Sequence, residues 1–202
     1  MKKTFLLLAL GFCLANLFAQ EKTASLPKTK YNLVVIAHRG DHTKVPENTI
    51  ASLKEEIKSG ADYAEIDLRT TKDGYMVLQH DATVDRMTNG TGKIKDLTLA
   101  EIQQLNVNNK NKPSKKVYRI PTFEEVLKTC KNKINIYLDF KDADVAETFR
   151  QIQAAGMENQ VAVYVNSIPQ YKQWREIAPK IPLITSVIGG ITNKEQLSFF
   201  LG

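Results

Sequence analysis

The sequence predicts an α/β fold built on a parallel sheet, and three observations carry that prediction. Short apolar, β-branched segments alternate with longer amphipathic ones along most of the chain. Helix-start signals and glycines punctuate them in the order that a β-α-β rhythm requires. Charged and imidazole side chains gather at the C-terminal ends of the apolar segments, where parallel α/β folds build their sites. A doubly wound sheet and a (β/α)8 barrel both satisfy this rhythm. No Gly-x-Gly-x-x-Gly follows the first strand, so the dinucleotide-binding version has no support.

Leu33 to Ala37 reads as the first strand. Thr49 to Ser59 is a helix, with Ile50, Leu53 and Ile57 at helical spacing and Gly60 to stop it. Tyr63 to Leu68 is the next strand, and Tyr75 to Gln79 another after the Lys72-Asp73-Gly74 turn. Thr98 with Glu101, and Thr122 with Glu125, are capping boxes that open two further helices. Ile134 to Phe140 is a strand, Val145 to Ala155 a helix ended by Gly156, and Val161 to Val165 a strand. Pro169 to Ala178 is helical, Leu183 to Ile188 is a strand, and Asn193 begins a final helix.

The 202 residues suit one domain, and 43% hydrophobic with 25% charged residues describe a globular chain. The start is different. Lys2 and Lys3 precede an apolar run from Phe5 to Leu17, with Ala19 after it, which is the layout of a secretory signal peptide over residues 1–19. That run is too short for a stable membrane span. Residues 20–202 then form the domain, exported to the periplasm or the exterior. Cys13 lies in the leader behind bulky Phe12, a poor lipidation context, and Cys130 is the one cysteine beyond it. An intramolecular disulfide and a cysteine-rich metal site are therefore excluded from the mature chain. The formal charge of +6 becomes +4 without Lys2 and Lys3, and the excess concentrates between Asn106 and Lys116. Asn, Pro and Ser among those lysines read as a solvated loop, and without interleaved aromatics they do not read as a nucleic-acid site.

His38-Arg39-Gly40 ends the first strand, Glu65-Ile66-Asp67 the second, His80-Asp81 the next, and Asp139-Phe140-Lys141 the strand from Ile134. Strand side chains alternate between faces, so Glu65 and Asp67 share one face while Ala64, Ile66 and Leu68 take the other. Asp139 and Lys141 share a face in the same way. Charges lining an interior are costly unless a metal or ligand compensates them.

Taken together, these segments resemble a known family. His38-Arg39-Gly40, Pro46-Glu47-Asn48-Thr49, Gly60-Ala61-Asp62 leading to Glu65-x-Asp67, Thr71-Lys72-Asp73-Gly74 and His80-Asp81 look like the glycerophosphodiester phosphodiesterases. Arg86 with Thr88-Asn89-Gly90-Thr91-Gly92, and Ile120-Pro121-Thr122-Phe123-Glu124-Glu125-Val126-Leu127, fit the same pattern. The resemblance runs from about Val34 to about Ile188 and implies the (β/α)8 TIM-type, phospholipase C-like barrel.

The resemblance implies hydrolysis of a glycerophosphodiester to an alcohol and glycerol 3-phosphate, with Glu65, Asp67 and Asp139 as metal ligands. Hard oxygen donors suit Ca2+ or Mg2+. Arg39 and Lys141 are the expected phosphate-binding cations. His38 and His80 are the expected acid and base, in either assignment. Glu47 is expected beside the site, Asp81 to orient it, and Asn48 either to cap the helix or to join the site. His42 matches no motif and reads as a loop histidine. Two departures stand out. Asp139 sits where many relatives have Glu, which shortens a ligand by one methylene. About six βα units are legible where a complete barrel has eight, so the domain is expected to be incomplete at its C-terminal end. Two other readings remain open: a lysophospholipase D or phospholipase C-like activity on lipids, and a truncated, non-catalytic barrel that binds phosphate esters or a partner.

Overall fold

The structure, a computed structural model, describes residues 24–30, 32–108 and 116–186. The expected leader, most of the lysine-rich segment, the end of the last strand at Ile188 and the helix from Asn193 lie outside these residues. In chain order the elements are β1 (Ile36–Ala37), α1 (Ile50–Ser59), β2 (Tyr63–Thr70), β3 (Met76–Leu78), a 3-10 turn (Ile94–Asp96), α2 (Leu99–Gln104) and α3 (Phe123–Cys130). They continue with β4 (Asn135–Phe140), α4 (Val145–Ala155), β5 (Val161–Val165), α5 (Ile168–Ile177) and β6 (Leu183–Ile184). No helix among the described residues is long and apolar enough to cross a membrane.

Parallel pairing runs β1-β2-β4-β5-β6, the arc of a (β/α) barrel with its helices on the outside. Ile66, Leu68, Ile136, Leu138, Val161 and Val163 are completely buried on the face that meets the helices. Against them pack Leu53 of α1, Val126 and Leu127 of α3, Ile152 of α4 and Trp174 of α5. Phe140 meets Trp174 edge to face, with ring centroids 5.3 Å apart. Apolar burial of this kind contributes about 1.5–3 kcal/mol per large side chain. It fixes which face of each strand points inward.

Two expectations change. Leu33 to Val35 do not pair as strand, because the Asp62 carboxylate accepts the Val35 N–H at 3.0 Å and occupies the donor a ladder would use. Only Ile36 and Ala37 remain in register, opposite Tyr63 and Ala64. The second change concerns β3, expected as one more barrel strand. It pairs antiparallel with β2, Leu68 opposite Leu78 and Thr70 opposite Met76. The cause is the connection: Thr71 to Tyr75 closes as a tight turn, with Gly74 at φ 85° and Thr71 N–H donating to Tyr75 C=O at 2.8 Å. A parallel return needs a crossover of about a dozen residues or more. The hairpin brings the chain back to the rim it left, where Gln79 N–H donates to Asp67 C=O at 3.0 Å.

Beyond that hairpin a second apolar cluster forms from Val77, Val84, Met87, Ile94, Ile102, Val107 and Ile120. It gives residues 80 to 107 a packed core of their own, joined to the β2–β3 connection by Lys72 N–H donating to Leu97 C=O at 2.8 Å. The caps expected at Thr98 and Thr122 are present as reciprocal capping boxes. Thr49 caps α1 in the same manner with Ser52.

Glu56 on α1 is the anomaly of the core. It is fully buried, and neither carboxyl oxygen has a well-formed hydrogen bond. Burial pushes its pKa up to about 8, only partly opposed by the nearby Ala37 backbone, while the charges of Asp41 and Glu65 push the same way. The folded chain therefore keeps a proton that the unfolded chain releases at an ordinary glutamate pKa, so stability falls as pH rises through that window. The wild type should lose up to about 1.4 kcal/mol per pH unit between about pH 5 and pH 8 from this group. Urea denaturation of Glu56→Gln across that range should show the slope reduced by that amount.

Candidate active site

The inner face of the sheet carries the polar groups. Register places Asp67 of β2 directly beside Asp139 of β4, with Glu65 one inward position earlier beside Tyr137. Glu65 and Asp67 are 7% and 0% exposed, so these carboxylates are held out of bulk water. One oxygen from each of Glu65, Asp67 and Asp139 lies within 4.8 Å of the others. Burial pushes Glu65 up to about 7, and the charges of Asp67 and Asp139 add to the rise against the hydrogen bond from Arg39 N–H.

Several cations and donors hold this cluster together. Lys141 Nζ lies between Asp139 and Asp67, 3.1 Å from Asp67 Oδ1 and in direct contact with Asp139 Oδ2. Those two carboxylates outweigh burial and raise the lysine's pKa. Arg39 donates its backbone N–H to Glu65 Oε2 at 2.6 Å, and its Nε stands 3.6 Å from Asp67 Oδ2. Asn48 donates from Nδ2 to Asp67 Oδ2 at 2.9 Å, while its Oδ1 accepts the Asp67 N–H at 3.3 Å. The two roles weighed for Asn48 therefore separate: Thr49 caps the helix and Asn48 joins the site.

The His38-Arg39-Gly40 turn needs its glycine. Gly40 has φ +76°, and a Cβ there would meet Ser52 Oγ at 2.6 Å. Arg39 and Asn48 also take positive φ, at 57° and 50°, and Asn48 N–H donates to Arg39 C=O at 3.0 Å. This closed loop sets His38 and Arg39 over the strand ends. Burial and the Arg39 charge hold His38 below the ordinary histidine pKa, outweighing Asp67 and Glu47. His42, expected as a plain loop histidine, packs edge to face with His38 at 6.4 Å and has Nδ1 2.9 Å from Gly40 C=O.

His80 reaches the rim from the hairpin. Its Nδ1 is 2.7 Å from Asp81 Oδ1. Arg69 fixes its backbone by donating from Nε and Nη2 to the His80 carbonyl at 3.0 and 2.7 Å. Glu47 does not enter the carboxylate cluster; its Oε1 accepts from Arg39 at 3.0 Å and Arg86 at 2.7 Å. Burial alone would raise Glu47, but Arg86 and Arg39 together bring it below the usual value.

Asn166 and Arg69 were not singled out by the sequence. Asn166, just past β5, donates from Nδ2 to Asp139 Oδ1 at 2.9 Å and to Phe140 C=O at 3.0 Å. Its place immediately after a strand was the available signal, shared with His38 and Lys141. Arg69 lies within β2, one residue from its end, and Asp142 pairs with it at 2.6 Å.

The donor set fits a divalent cation. Three hard oxygens converge, and an ammonium is drawn between two of the carboxylates, 3.1 Å from Asp67 Oδ1. Glu65, Asp67 and Asp139 would hold the ion.

A parallel α/β barrel sheet carrying an acidic cluster, two histidines and two cations at its C-terminal rim defines the chain as a barrel protein with a candidate anion- and cation-binding site. Residues 38–180 match the model of the glycerophosphoryl diester phosphodiesterase family. The chain belongs to that family. It is 35% identical over 176 residues to a Bacillus subtilis (strain 168) protein named "Putative glycerophosphodiester phosphodiesterase YhdW", covering 83% of this chain and 72% of that one. It is 50% identical over 100 residues to the glycerophosphodiester phosphodiesterase of Caldanaerobacter subterraneus subsp. tengcongensis, covering 50% of this chain and 41% of that one. Among solved structures, a glycerophosphodiester phosphodiesterase from Agrobacterium tumefaciens superposes with a TM-score of 0.68 at 28% identity. That match covers 74% of this chain and 65% of the other. A glycerophosphoryl diester phosphodiesterase from Parabacteroides distasonis superposes with a TM-score of 0.69 at 29% identity, covering 88% of this chain and 59% of the other. Each match thus spans only part of the relative's length.

Asn48→Ala would leave Asp67 without its amide partner in a buried setting. We expect a loss of about 1–3 kcal/mol in unfolding free energy, read by urea denaturation. Thr49→Ala, which removes the helix cap and the hydroxyl's 2.8 Å bond to the Pro46 carbonyl, should cost about 1–2 kcal/mol.

Proposed function

We propose that the chain hydrolyses glycerophosphodiesters to an alcohol and glycerol 3-phosphate, using a divalent cation held by Glu65, Asp67 and Asp139. The observation that carries this reading is the meeting of that carboxylate cluster with Arg39 and Lys141 at one rim, inside the segment that matches the family. The ion, Ca2+ or Mg2+, would supply charge stabilisation for the phosphoryl oxygens.

The chain's own residues account for the rest. Arg39 and Lys141 already lie against Asp67, so each presents its remaining donors to a phosphate bound over the cluster. Their positive charge favours the transition state, where the phosphoryl group gains negative charge. His38, held low in pKa by burial and Arg39, is unprotonated near neutrality and takes the proton from the attacking hydroxyl or water. His80, whose Nδ1 faces Asp81, turns Nε2 outward; with both ring nitrogens protonated it gives the Nε2 proton to the leaving alkoxide and keeps the one on Nδ1. Asn48 and Asn166 keep Asp67 and Asp139 in their rotamers. The sequence pattern of Lys2 and Lys3 followed by the apolar run from Phe5 to Leu17 supports export, to the periplasm or the exterior.

The full chain incubated with glycerophosphocholine and Ca2+ or Mg2+ should release glycerol 3-phosphate, and EDTA should stop it. His38→Ala and His80→Ala should each lower kcat by about 10²–10⁴-fold. Absence of turnover with every divalent ion tried would overturn the reading.

A further inference from the structure

Arg86 sits in the lobe that follows the hairpin, and its own neighbours anchor it. Val84 and Met87 on either side are buried in the second apolar cluster. The backbone is pinned there by Thr88 N–H to Val84 C=O at 3.0 Å and Val84 N–H to Gly92 C=O at 3.0 Å. From this mount the guanidinium spans two carboxylates of different origin. Nε donates to Asp81 Oδ2 at 2.5 Å, and Nη2 donates to Glu47 Oε1 at 2.7 Å.

Each of those carboxylates has a second partner. The other oxygen of Asp81 faces His80 Nδ1 at 2.7 Å, and Glu47 Oε1 also accepts from Arg39 Nη1 at 3.0 Å. The result is a continuous chain from His80 through Asp81, Arg86 and Glu47 to Arg39. It links the loop after β1 to the hairpin return, two pieces of chain that share no strand pairing. The Arg86 side chain is 43% exposed, so as an ion pair it contributes little to stability. Its planar, forked geometry is what the two-carboxylate bridge requires, and a lysine ammonium does not reproduce it.

We propose that Arg86 is a positioning residue: it locks Asp81 so that His80 keeps one proton on Nδ1 throughout and turns Nε2 to the substrate, at a fixed distance from Arg39. There the doubly protonated ring gives up its Nε2 proton and is left as the neutral Nδ1-protonated tautomer. The Arg86 hydrogen bond is the largest influence holding Asp81 down at about 2, against the effect of burial, which keeps the acceptor ionised across the working range. A neutral imidazole in water favours the other tautomer, and a carboxylate on Nδ1 reverses that preference. Without Arg86 the carboxylate is free to rotate and the preference weakens. The proposal rests on the reading of His80 as the acid, so its test has one arm that needs no turnover.

The first arm is long-range 15N–1H NMR of the imidazole rings in the full chain, with His80 assigned by loss of its signals in His80→Gln. Wild type should show His80 with its proton on Nδ1, while Arg86→Ala and Arg86→Gln should shift the population toward Nε2-protonated ring. The second arm is steady-state hydrolysis of glycerophosphocholine. Arg86→Ala should lose about 10- to 100-fold in kcat with KM changed by less than about twofold, and Arg86→Lys should recover only part of it. The removed side chain opens to solvent, so guanidinium ion at millimolar concentration should restore kcat of Arg86→Ala while sodium chloride at equal ionic strength does not. A wild-type tautomer in both Arg86→Ala and Arg86→Gln would overturn the proposal. So would a loss in kcat that guanidinium leaves untouched. If wild type itself fails to turn over, the catalytic reading falls, and the tautomer populations alone decide the role of Arg86.

Discussion

The pairing of β2 with β4 puts Asp67 and Asp139 side by side on a face screened from water, with Glu65 close by. Most of the site is a response to that juxtaposition. Like charges at such distances in a poorly hydrated setting repel by several kcal/mol unless a counter-charge lies among them. Lys141, Arg39, Asn48 and Asn166 each direct a donor at this cluster. The partner of Asp67 Oδ1 is the Lys141 ammonium, at 3.1 Å. A strand face this acidic contributes nothing to packing, and its cost has to be offset by the apolar face of the same strands. Ile66, Leu68, Ile136 and Leu138 provide that offset against α1, α3, α4 and α5.

The scaffold also explains how groups far apart in sequence reach one rim. Parallel strands with helices between them bring every strand's C-terminal end to the same side. β3 breaks the pattern and still serves it. Its tight turn sends the chain up and back, so that Gln79 bonds to Asp67 and His80 follows at that level. The second apolar cluster then gives residues 80 to 107 a core of their own. Arg69 and Arg86 tie that lobe to the rim through the His80 carbonyl and the Glu47 carboxylate. The lobe is part of the site's framework.

Much of this architecture is legible in the amino-acid sequence. The period-two alternation of Glu65-Ile66-Asp67 and Asp139-Phe140-Lys141 says which side chains share a face, and the boxes at Thr98 and Thr122 mark helix starts that the fold keeps. Register between strands is not legible, because it depends on which residues of two distant segments align. The antiparallel course of β3 is readable in principle from the shortness of the Thr71–Tyr75 connection. The roles of Asn166, Arg69 and Arg86 are hidden for a different reason. Their partners lie 27, 73 and 39 residues away for Asp139, Asp142 and Glu47, and no local pattern encodes a tertiary contact. Glu56 escapes sequence reasoning because its helical spacing places it with Ser52 and Leu53 on the buried face, where a carboxylate is unexpected.

The proposed chemistry depends on a divalent cation held by Glu65, Asp67 and Asp139 beneath Arg39 and Lys141. The most direct measurement is an anomalous difference map, at the manganese edge, from crystals of the full chain soaked in Mn2+, a hard oxygen-seeking ion. The account predicts one strong peak within coordination distance of all three carboxylates, with Lys141 displaced from between Asp67 and Asp139. An empty cluster with Lys141 still in place, or a peak held by other residues, would contradict it.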